Sequence, residues 1–321
     1  MDSINNINKA YNLHNNTGIN NTVTDIENNH LNKLSIIIVN YNAKNYLKKC
    51  LSSIFNFIPL EFIPGSFEVI LVDNASQDDS VSMVKKNFPQ VKIIVNSKNI
   101  GFAAANNIGI KNSLSEYIML LNSDCEIYSN SVKSLVDFMD KNKDTGIAGP
   151  KILNSDGSVQ LSCRRFPSLI DAAMHSLIGV FIPDNPFSKR YKLAEICRQE
   201  PLAVDWVSGS CMLIRRVALK DTGLMDEKYF MYVEDTDLCY QMWKKGWKVF
   251  YFPKSSVLHH VGKSSENKKI NQINQSIMMQ KSAAYFFLKN YKKTWKILLL
   301  PIIFLVLGLR ILLTFIKNLL K

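Results

Sequence analysis

Residues 34–40 read LSIIIVN, an apolar run broken only by Ser35 and closed by Asn40. It shows no polar alternation and is too short for a helix, so it reads as a strand covered on both faces. The same kind of run returns as EVILVD (68–73), VKIIV (91–95) and YIMLLN (117–122). Helical stretches near 44–56, 79–88, 101–112 and 129–140 separate or follow these runs. Strands alternating with helices predict a Rossmann-like α/β half, a parallel sheet with helices on both sides and ligands at the strands' carboxyl ends. The Asp156-Gly157 pair inside KILNSDGSVQLS marks a hairpin. VDWVSGSCMLI and WKVFYF add strands, so the second half is expected to extend the sheet into a mixed one.

The chain has 321 residues, 47% hydrophobic and 21% charged, a globular mixture long enough for an enzyme with one sizeable core and appendages. Its net charge is +12, but residues 266–321 hold ten Lys or Arg against the single acid Glu266 and so supply nine of those charges. Beside them Ile297 to Ile316 is apolar except for Arg310. A basic tail next to an apolar run points to an anionic membrane surface and away from nucleic acid. Twenty such residues match a bilayer core of roughly 30 Å. Pro301 and Arg310 oppose insertion, the latter by up to ~3 kcal/mol, and the Leu, Ile, Phe and Val residues outweigh them. Insertion, spanning or re-entrant, is expected ahead of in-plane attachment, with Lys289, Lys292, Lys293 and Lys296 holding the preceding end at the cytoplasmic face.

Residues 1–33 are Asn-rich without periodicity and are expected to be disordered. No basic start leads into an apolar stretch and a small-residue cleavage site, so no secretory signal is expected. The division is therefore a tail at 1–33, a catalytic domain at 34–265 and a membrane-associated segment at 266–321. Six cysteines without a C-x-x-C pair predict reduced, mostly buried thiols in the cytosol.

Asn40, Asp73 and Asp124 all fall where strands end, and in a doubly wound sheet these ends converge on one crevice. Singly, each is also an ordinary turn former. In NIGFAAANNIG (99–109), Gly101 and the alanines either admit a ligand to a helix N-terminus or pack tightly against protein. VGKSS (261–265) lacks the P-loop glycine, whose position holds Val257. In YFMYVEDTDLCYQMWKKGW (229–247), Glu234, Asp235 and Asp237 stand among large apolar residues, where an unpaired buried carboxylate costs several kcal/mol. At the start of a helix the dipole favours their charged form. Asp235 reads as a general base or as an N-cap; Asp237, like Glu234, is an alternate base or else a structural acid paired with Arg215 or Arg216. Arg164 and Arg165 are candidates for phosphate contact or a solvated hairpin edge, and Trp206 for sugar stacking or core packing. His259 and His260, adjacent on a strand, face opposite sides.

SIIIVNYN, VDNASQDDS, NIGFAAANNIG, LLNSD, DWVSGSCMLIRR, GLMDEKYFMYVEDTDLCYQMWKKGWKVFYFP and HHVGKSS occur in this order. The set resembles family-2 glycosyltransferases of the GT-A fold, especially the rhamnosyltransferase-like branch, over residues 34–265. The resemblance implies inverting sugar transfer from a nucleotide-diphosphate donor with a divalent metal, Mg2+ or Mn2+. It assigns the pyrimidine contact to Asp73, the nucleotide pocket to Asn40, Tyr41, Asn74, Gly101 and Asn122, the metal to Asp124 and His260, and the base to Asp235. Asn122 replaces the first acid of the usual D-x-D, which removes one anionic ligand and leaves the choice of metal open. dTDP-rhamnose is the first donor implied, with UDP-galactofuranose, UDP-N-acetylglucosamine and other hexoses open. A polyprenyl-diphosphate-linked glycan at the cytoplasmic face, in cell-surface polysaccharide synthesis, is the implied acceptor. A silent nucleotide-sugar-binding scaffold would be expected to lose Asp235 or Asp124. A sugar nucleotidyltransferase would need a glycine-rich basic loop where VNYNAKN stands.

Overall fold

A computed structural model describes residues 32–61, 66–166, 177–178, 181–182, 185–191, 200–260, 268–292 and 294–319. Residues 1–31 of the tail expected at 1–33, the VGKSS segment and Lys293 lie outside the described residues, as does the side chain of Lys296. Lys33 belongs to the folded body, bonded to Glu116 at 2.8 Å and Asp140 at 3.0 Å.

In chain order the first half runs β1 (Leu34–Asn40), α1 (Lys44–Glu61), β2 (Phe67–Asp73), α2 (Ser80–Asn87), β3 (Lys92–Val95), α3 (Phe102–Lys111), β4 (Tyr117–Asn122), β5 (Cys125–Ile127), α4 (Ser131–Lys141) and β6 (Thr145–Leu153). The second half adds β7 (Val159–Gln160), β8 (Cys163–Arg164), α5 (Pro186–Tyr191), β9 (Leu202–Ala203), β10 (Trp206–Val207), β11 (Cys211–Arg215), α6 (Arg216–Thr222), α7 (Glu234–Lys244) and β12 (Lys248–His259). Last come α8 (Lys268–Tyr291), a 3-10 turn (Trp295–Leu299) and α9 (Leu300–Leu319).

The main sheet has the order β3-β2-β1-β4-β11-β6-β12-β5. β1, β2, β3 and β4 are mutually parallel, as their apolar runs predict. β11 then joins β4 and β6 antiparallel and makes the sheet mixed. Ile36 and Ile38 pack with Leu47, Leu51 and Ile54 of α1, whereas Ile37 lies in a second cluster with Ala103 and Ile110 of α3. Covering both faces explains the absence of alternation in LSIIIVN, and each fully buried Ile contributes about 1.5–3 kcal/mol. A side chain at Gly109 would collide with Ile37, so this glycine lets α3 lie close on β1. The Asp156-Gly157 hairpin forms as expected, closed by Asn154 and Ser158 with Gly157 at φ 82°.

VDWVSGSCMLI forms two strands, β10 in a separate pair with β8 and β11 in the main sheet. The break at Ser208-Gly209-Ser210 is what turns this chain toward the site. Among the cysteines, Cys50, Cys125, Cys211 and Cys239 are free and buried, but Cys163 is disulfide-bonded, which corrects the expectation of six thiols.

α8 and α9 pack on the body through Tyr229, Phe286, Phe287, Tyr291, Leu300, Ile303 and Leu307. Lys289, expected with its neighbours to hold this end at the cytoplasmic face, is bonded to Asp226 at 2.8 Å and Asp237 at 2.6 Å. The face of α9 opposite Ile303 and Leu307 leaves Ile302, Leu305, Leu309 and Leu312 exposed.

Candidate active site

Asn40 and Asp73 are paired in register at the ends of β1 and β2. Asn40 Nδ2 donates to Asp73 Oδ1 and to Ser76 Oγ, both at 3.0 Å, and the Ser76 amide donates to Asp73 Oδ2 at 2.9 Å. Each carboxylate oxygen accepts more than one hydrogen bond, so Asp73 keeps capacity for a base N–H. Among the described residues, buried Asn40 Oδ1 has no partner, and Tyr41 is half exposed beside it. Asn74 is differently engaged: its amide group bonds Asn96, Asn99, the Gly101 carbonyl and the Ile100 amide. Those four bonds fasten the 96–101 loop to the end of β2. At Gly101 (φ 89°) a Cβ would lie 2.5 Å from the Phe230 carbonyl, which accepts the Phe102 amide at 2.7 Å. Of the two readings of Gly101, the structure takes close packing against protein.

Asp124 follows β4, and the ring beside it is that of His259, with Nε2 3.2 Å from Asp124 Oδ1. His260, the residue the resemblance pointed to, turns to the other side, where Glu126 Oε1 is 2.6 Å from Nε2 and Ser155 Oγ 2.9 Å from Nδ1. Only its backbone amide reaches Asp124, at the carbonyl oxygen. Alternation along β12 separates the two rings as expected; the strand register decides which one meets Asp124.

Ligand atoms of Asp124, Cys125 and His259 lie within 4.8 Å of one another. His259 Nδ1 lies 2.9 Å from Gln160 Oε1, which can accept from it, so Nε2 is the nitrogen turned to Asp124. A ring fixed through its far nitrogen is the usual support of a metal-bound histidine. The residues therefore fit a divalent ion held by Asp124 and His259. Cys125 fits less well: its thiol donates to the Ser210 carbonyl, and burial pushes it well above the ordinary value. Asn122 Nδ2 is 3.4 Å from His259 Nε2.

Asp235 is the second residue of α7, which begins after Tyr232 and Val233, two residues with left-handed φ of 69° and 71°. Non-glycine residues hold that conformation only where packing imposes it. Asp235 Oδ2 accepts the Gly209 amide at 2.9 Å; Oδ1 accepts the Thr236 amide at 2.7 Å. Val233, not Asp235, is the N-cap residue. Burial raises the Asp235 carboxyl above its ordinary value, partly offset by these bonds and by the Arg164 guanidinium. Glu234 is also raised, by burial and by the Asp235 charge. Asp237 has neither Arg215 nor Arg216 as its partner. Lys289 Nζ at 2.6 Å and Asn290 Nδ2 at 3.0 Å hold it. Arg215 bonds Tyr117 and three carbonyls, and Arg216 bonds Ser113 and Ser115. Buried under a lysine, Asp237 is placed for structure and not for proton transfer.

Asp235 and Glu234 line a cavity of about 380 Å³ with Arg164 and Trp206. The Arg164 guanidinium lies 5.1 Å from the Trp206 ring centroid, and Trp206 Nε1 donates to the Arg165 carbonyl. The Arg165 side chain is exposed. Ser210 O accepts the Asn122 amide at 2.9 Å, and the neighbouring Gly209 amide binds Asp235. A two-residue backbone step thus joins the Asp124–His259 pair to the carboxylate of α7. Gly209 and Gln160 are site residues that sequence reasoning did not single out, and of the adjacent histidines it chose His260 over His259; only the S-G-S break gave any signal.

Residues 35–223 match glycosyl transferase family 2. The chain belongs to this family. A glycosyltransferase with these residues at the carboxyl ends of a mixed sheet has the GT-A fold expected. The N-acetylglucosaminyl-diphospho-decaprenol L-rhamnosyltransferase of Mycobacterium tuberculosis is 30% identical over 273 residues, 82% of this glycosyltransferase and 86% of the relative. The dTDP-rhamnosyl transferase RfbF of Shigella flexneri is 26% identical, covering 71% and 69%. Among solved structures, a mannosyltransferase of Pyrobaculum calidifontis in complex with GDP-Man and Mn2+ has a TM-score of 0.56 at 14% identity, covering 88% and 74%. GalNAc-T7 with UDP, GalNAc and Mn2+ scores 0.54 at 18% identity, matching 81% of this chain, which spans only half of that structure.

Proposed function

We propose that this glycosyltransferase moves L-rhamnose from dTDP-rhamnose to a polyprenyl-diphosphate-linked saccharide, with inversion, at the cytoplasmic face of a membrane. The observation that carries the mechanism is the Gly209 bridge, which sets Asp235 at a cavity adjoining the Asp124–His259 pair. The sugar and the acceptor class rest on the two rhamnosyltransferase relatives.

In this reading Asp73 accepts the ring N–H of the pyrimidine, and Asn40 orients that carboxylate. Asp124 and His259 would hold Mg2+ or Mn2+. When bound, the ion neutralises charge developing on the diphosphate leaving group. Mg2+ keeps several waters and needs only one or two carboxylates, so the loss of an acid at Asn122 is compatible with it. Asp235 takes the proton of the acceptor hydroxyl from the face opposite the departing diphosphate. The Gly209 and Thr236 amides keep the carboxylate aimed, and they favour its charged form against the burial that opposes it.

The division into a catalytic domain at 34–265 and an attachment segment at 266–321 is part of the proposal. Attachment in the plane of the membrane is favoured over spanning. One face of α9 packs on α8, and α8 is bonded to the catalytic body through Lys289. The exposed stripe of Ile302, Leu305, Leu309 and Leu312 then enters the lipid boundary.

The test is incubation of the purified full-length protein with a synthetic N-acetylglucosaminyl-diphospho-polyprenol, a divalent ion and either dTDP-rhamnose or a UDP-hexose. Release of dTDP with a rhamnosylated lipid product supports the reading. Turnover of a UDP-hexose alone would replace the donor, and release of pyrophosphate would replace the reaction.

A further inference from the structure

The cavity at Asp235 has a wall made by α8, which supplies Met279, Gln280, Ala283 and Phe286 alongside Glu234 and Asp235 of α7. This wall is fixed against the start of α7. Ser282 Oγ donates to the Met231 carbonyl at 2.9 Å, and Asn290 Nδ2 donates to Asp237 Oδ1 at 3.0 Å. Between them the Phe286 ring meets Tyr240 edge-on, with 5.5 Å between centroids. The enclosed volume, about 380 Å³, falls within the ~300–1,000 Å³ typical of small-molecule sites.

Two buried polar side chains line this cavity. Glu234 is 5% exposed, and among the described residues its Oε2 has no hydrogen-bond partner. Gln280 is also 5% exposed, and the α8 residues that line the cavity with it are mostly apolar. A buried acceptor left unmet destabilises the free protein, and a ligand that donates to it recovers that loss. The charged residues of the walls are Glu234, Asp235, Arg164 beside Asp235, and Arg310, two of each sign. A polar ligand without net charge suits such a balance.

We infer that Glu234 and Gln280 form the part of the acceptor site that reads a neutral secondary amide on the sugar, as carried by an N-acetylated amino sugar. This rests on the proposed function and names the acceptor group that the site recognises; both residues lie beyond the segment 35–223 matched by the family. An acetamido group offers one N–H, one carbonyl and a methyl. Glu234 Oε2 accepts the N–H, the Gln280 amide donates to the carbonyl, and the methyl packs on Ala283 and Phe286. A hydroxyl at the same carbon brings neither carbonyl nor methyl and leaves the Gln280 donor unmet. A site built around such bonds rejects the analogue that lacks them.

The experiment uses the full-length protein in vesicles with dTDP-rhamnose and a divalent ion. It compares wild type, Gln280→Met and Glu234→Met on polyprenyl diphosphates that carry N-acetylglucosamine, glucose or glucosamine and so differ only at C2. Wild type is expected to show the lowest KM for the acetamido acceptor. Each variant raises that KM about five- to tenfold, the effect of deleting one hydrogen bond, while KM for the glucosyl acceptor changes far less and the preference collapses. Glu234→Met also raises the melting temperature of the ligand-free protein, because the unmet acceptor is gone. Equal losses on the acetamido and glucosyl acceptors overturn the inference, since a packing defect treats the two alike. A wild type without preference overturns it too, and a preference for the glucosaminyl acceptor replaces the amide by a cation held between the carboxylates. In each of these cases transfer itself still supports the proposed function. If wild type transfers to none of the three, the proposed function fails, and calorimetric titration with the methyl glycosides decides the inference alone: binding of the N-acetylglucosaminide that Gln280→Met loses sustains it, and absence of binding overturns it.

Discussion

The amide of Gly209 donates to Asp235 Oδ2 at 2.9 Å, tying the loop before β11 to the first turn of α7. Because Ser210 on the same loop accepts the Asn122 amide, the position of the carboxylate is referred to the end of β4 and hence to Asp124. Rigid backbone, rather than a chain of flexible side chains, fixes the distance between the two ends of the site.

Asp235→Asn removes the proton acceptor and preserves the shape. We expect kcat to fall by ~10²–10⁴ with donor affinity nearly unchanged. One of the two amide bonds to the side chain is weakened, at a cost of about 1 kcal/mol in stability. Steady-state kinetics with calorimetric donor titration check this, and a near-normal kcat would remove Asp235 as the base.

The acid side of the pH–rate profile gives a second handle. Burial holds the Asp235 carboxyl above its ordinary value while Arg164 pulls it down. The rate should therefore fall, as pH decreases, at a pH above the usual carboxylate range. Arg164→Gln should move that fall to still higher pH. Since the Asp235 charge acts on the neighbouring Glu234 carboxyl, the apparent value belongs to the pair.

His259 and His260 should separate cleanly. His259→Ala is expected to raise the metal concentration for half-maximal rate by about tenfold or more, with partial recovery at high metal. His260→Ala, which loses bonds to Glu126 and Ser155, should leave that concentration unchanged. A metal titration of each variant decides it, and the opposite pattern would return the role to His260.

Lys289 links α8 to the body. Burial alone would lower its ammonium, but its bonds to Asp226 and Asp237 raise it above the ordinary value; Asp226 is held below its own, despite burial, chiefly by Lys289. The raised lysine stabilises the fold below pH ~10.4 and loses this as pH rises through the folded-state value. The lowered Asp226 stabilises above pH ~3.9 and loses this as pH falls through its folded-state value. Lys289→Met, which strands the 3%-exposed Asp237 carboxylate, should cost roughly 3 kcal/mol near neutral pH. The melting difference from wild type should shrink outside that window. A constant difference across pH would show that packing, not the ion pairs, holds α8.

Placing aspartates at Leu305 and Leu312 together should weaken vesicle flotation without changing kcat on a soluble alkyl glycoside acceptor. Both residues are exposed on the outer stripe of α9 and touch neither the cavity nor the core. Retained flotation would argue for a spanning helix held by other means.

The sequence alone determined the parallel β1–β4 unit, because runs apolar on both faces between amphipathic helices have only that arrangement open to them. It also determined the family and the strand-end placement of Asn40, Asp73 and Asp124, since those follow from local order along the chain. Tertiary structure alone decided which histidine meets Asp124, because adjacent β12 residues differ only in face and the register with β5 selects one. It turned Gly101 from ligand contact to packing, through the backbone of Phe230, which is far from it in sequence. It paired Asp237 with Lys289 instead of Arg215, whose donors are taken by carbonyls of β6 and α4 and of the turn between them. These outcomes depend on which long-range partner reaches a group first, and no local pattern of residue types encodes that.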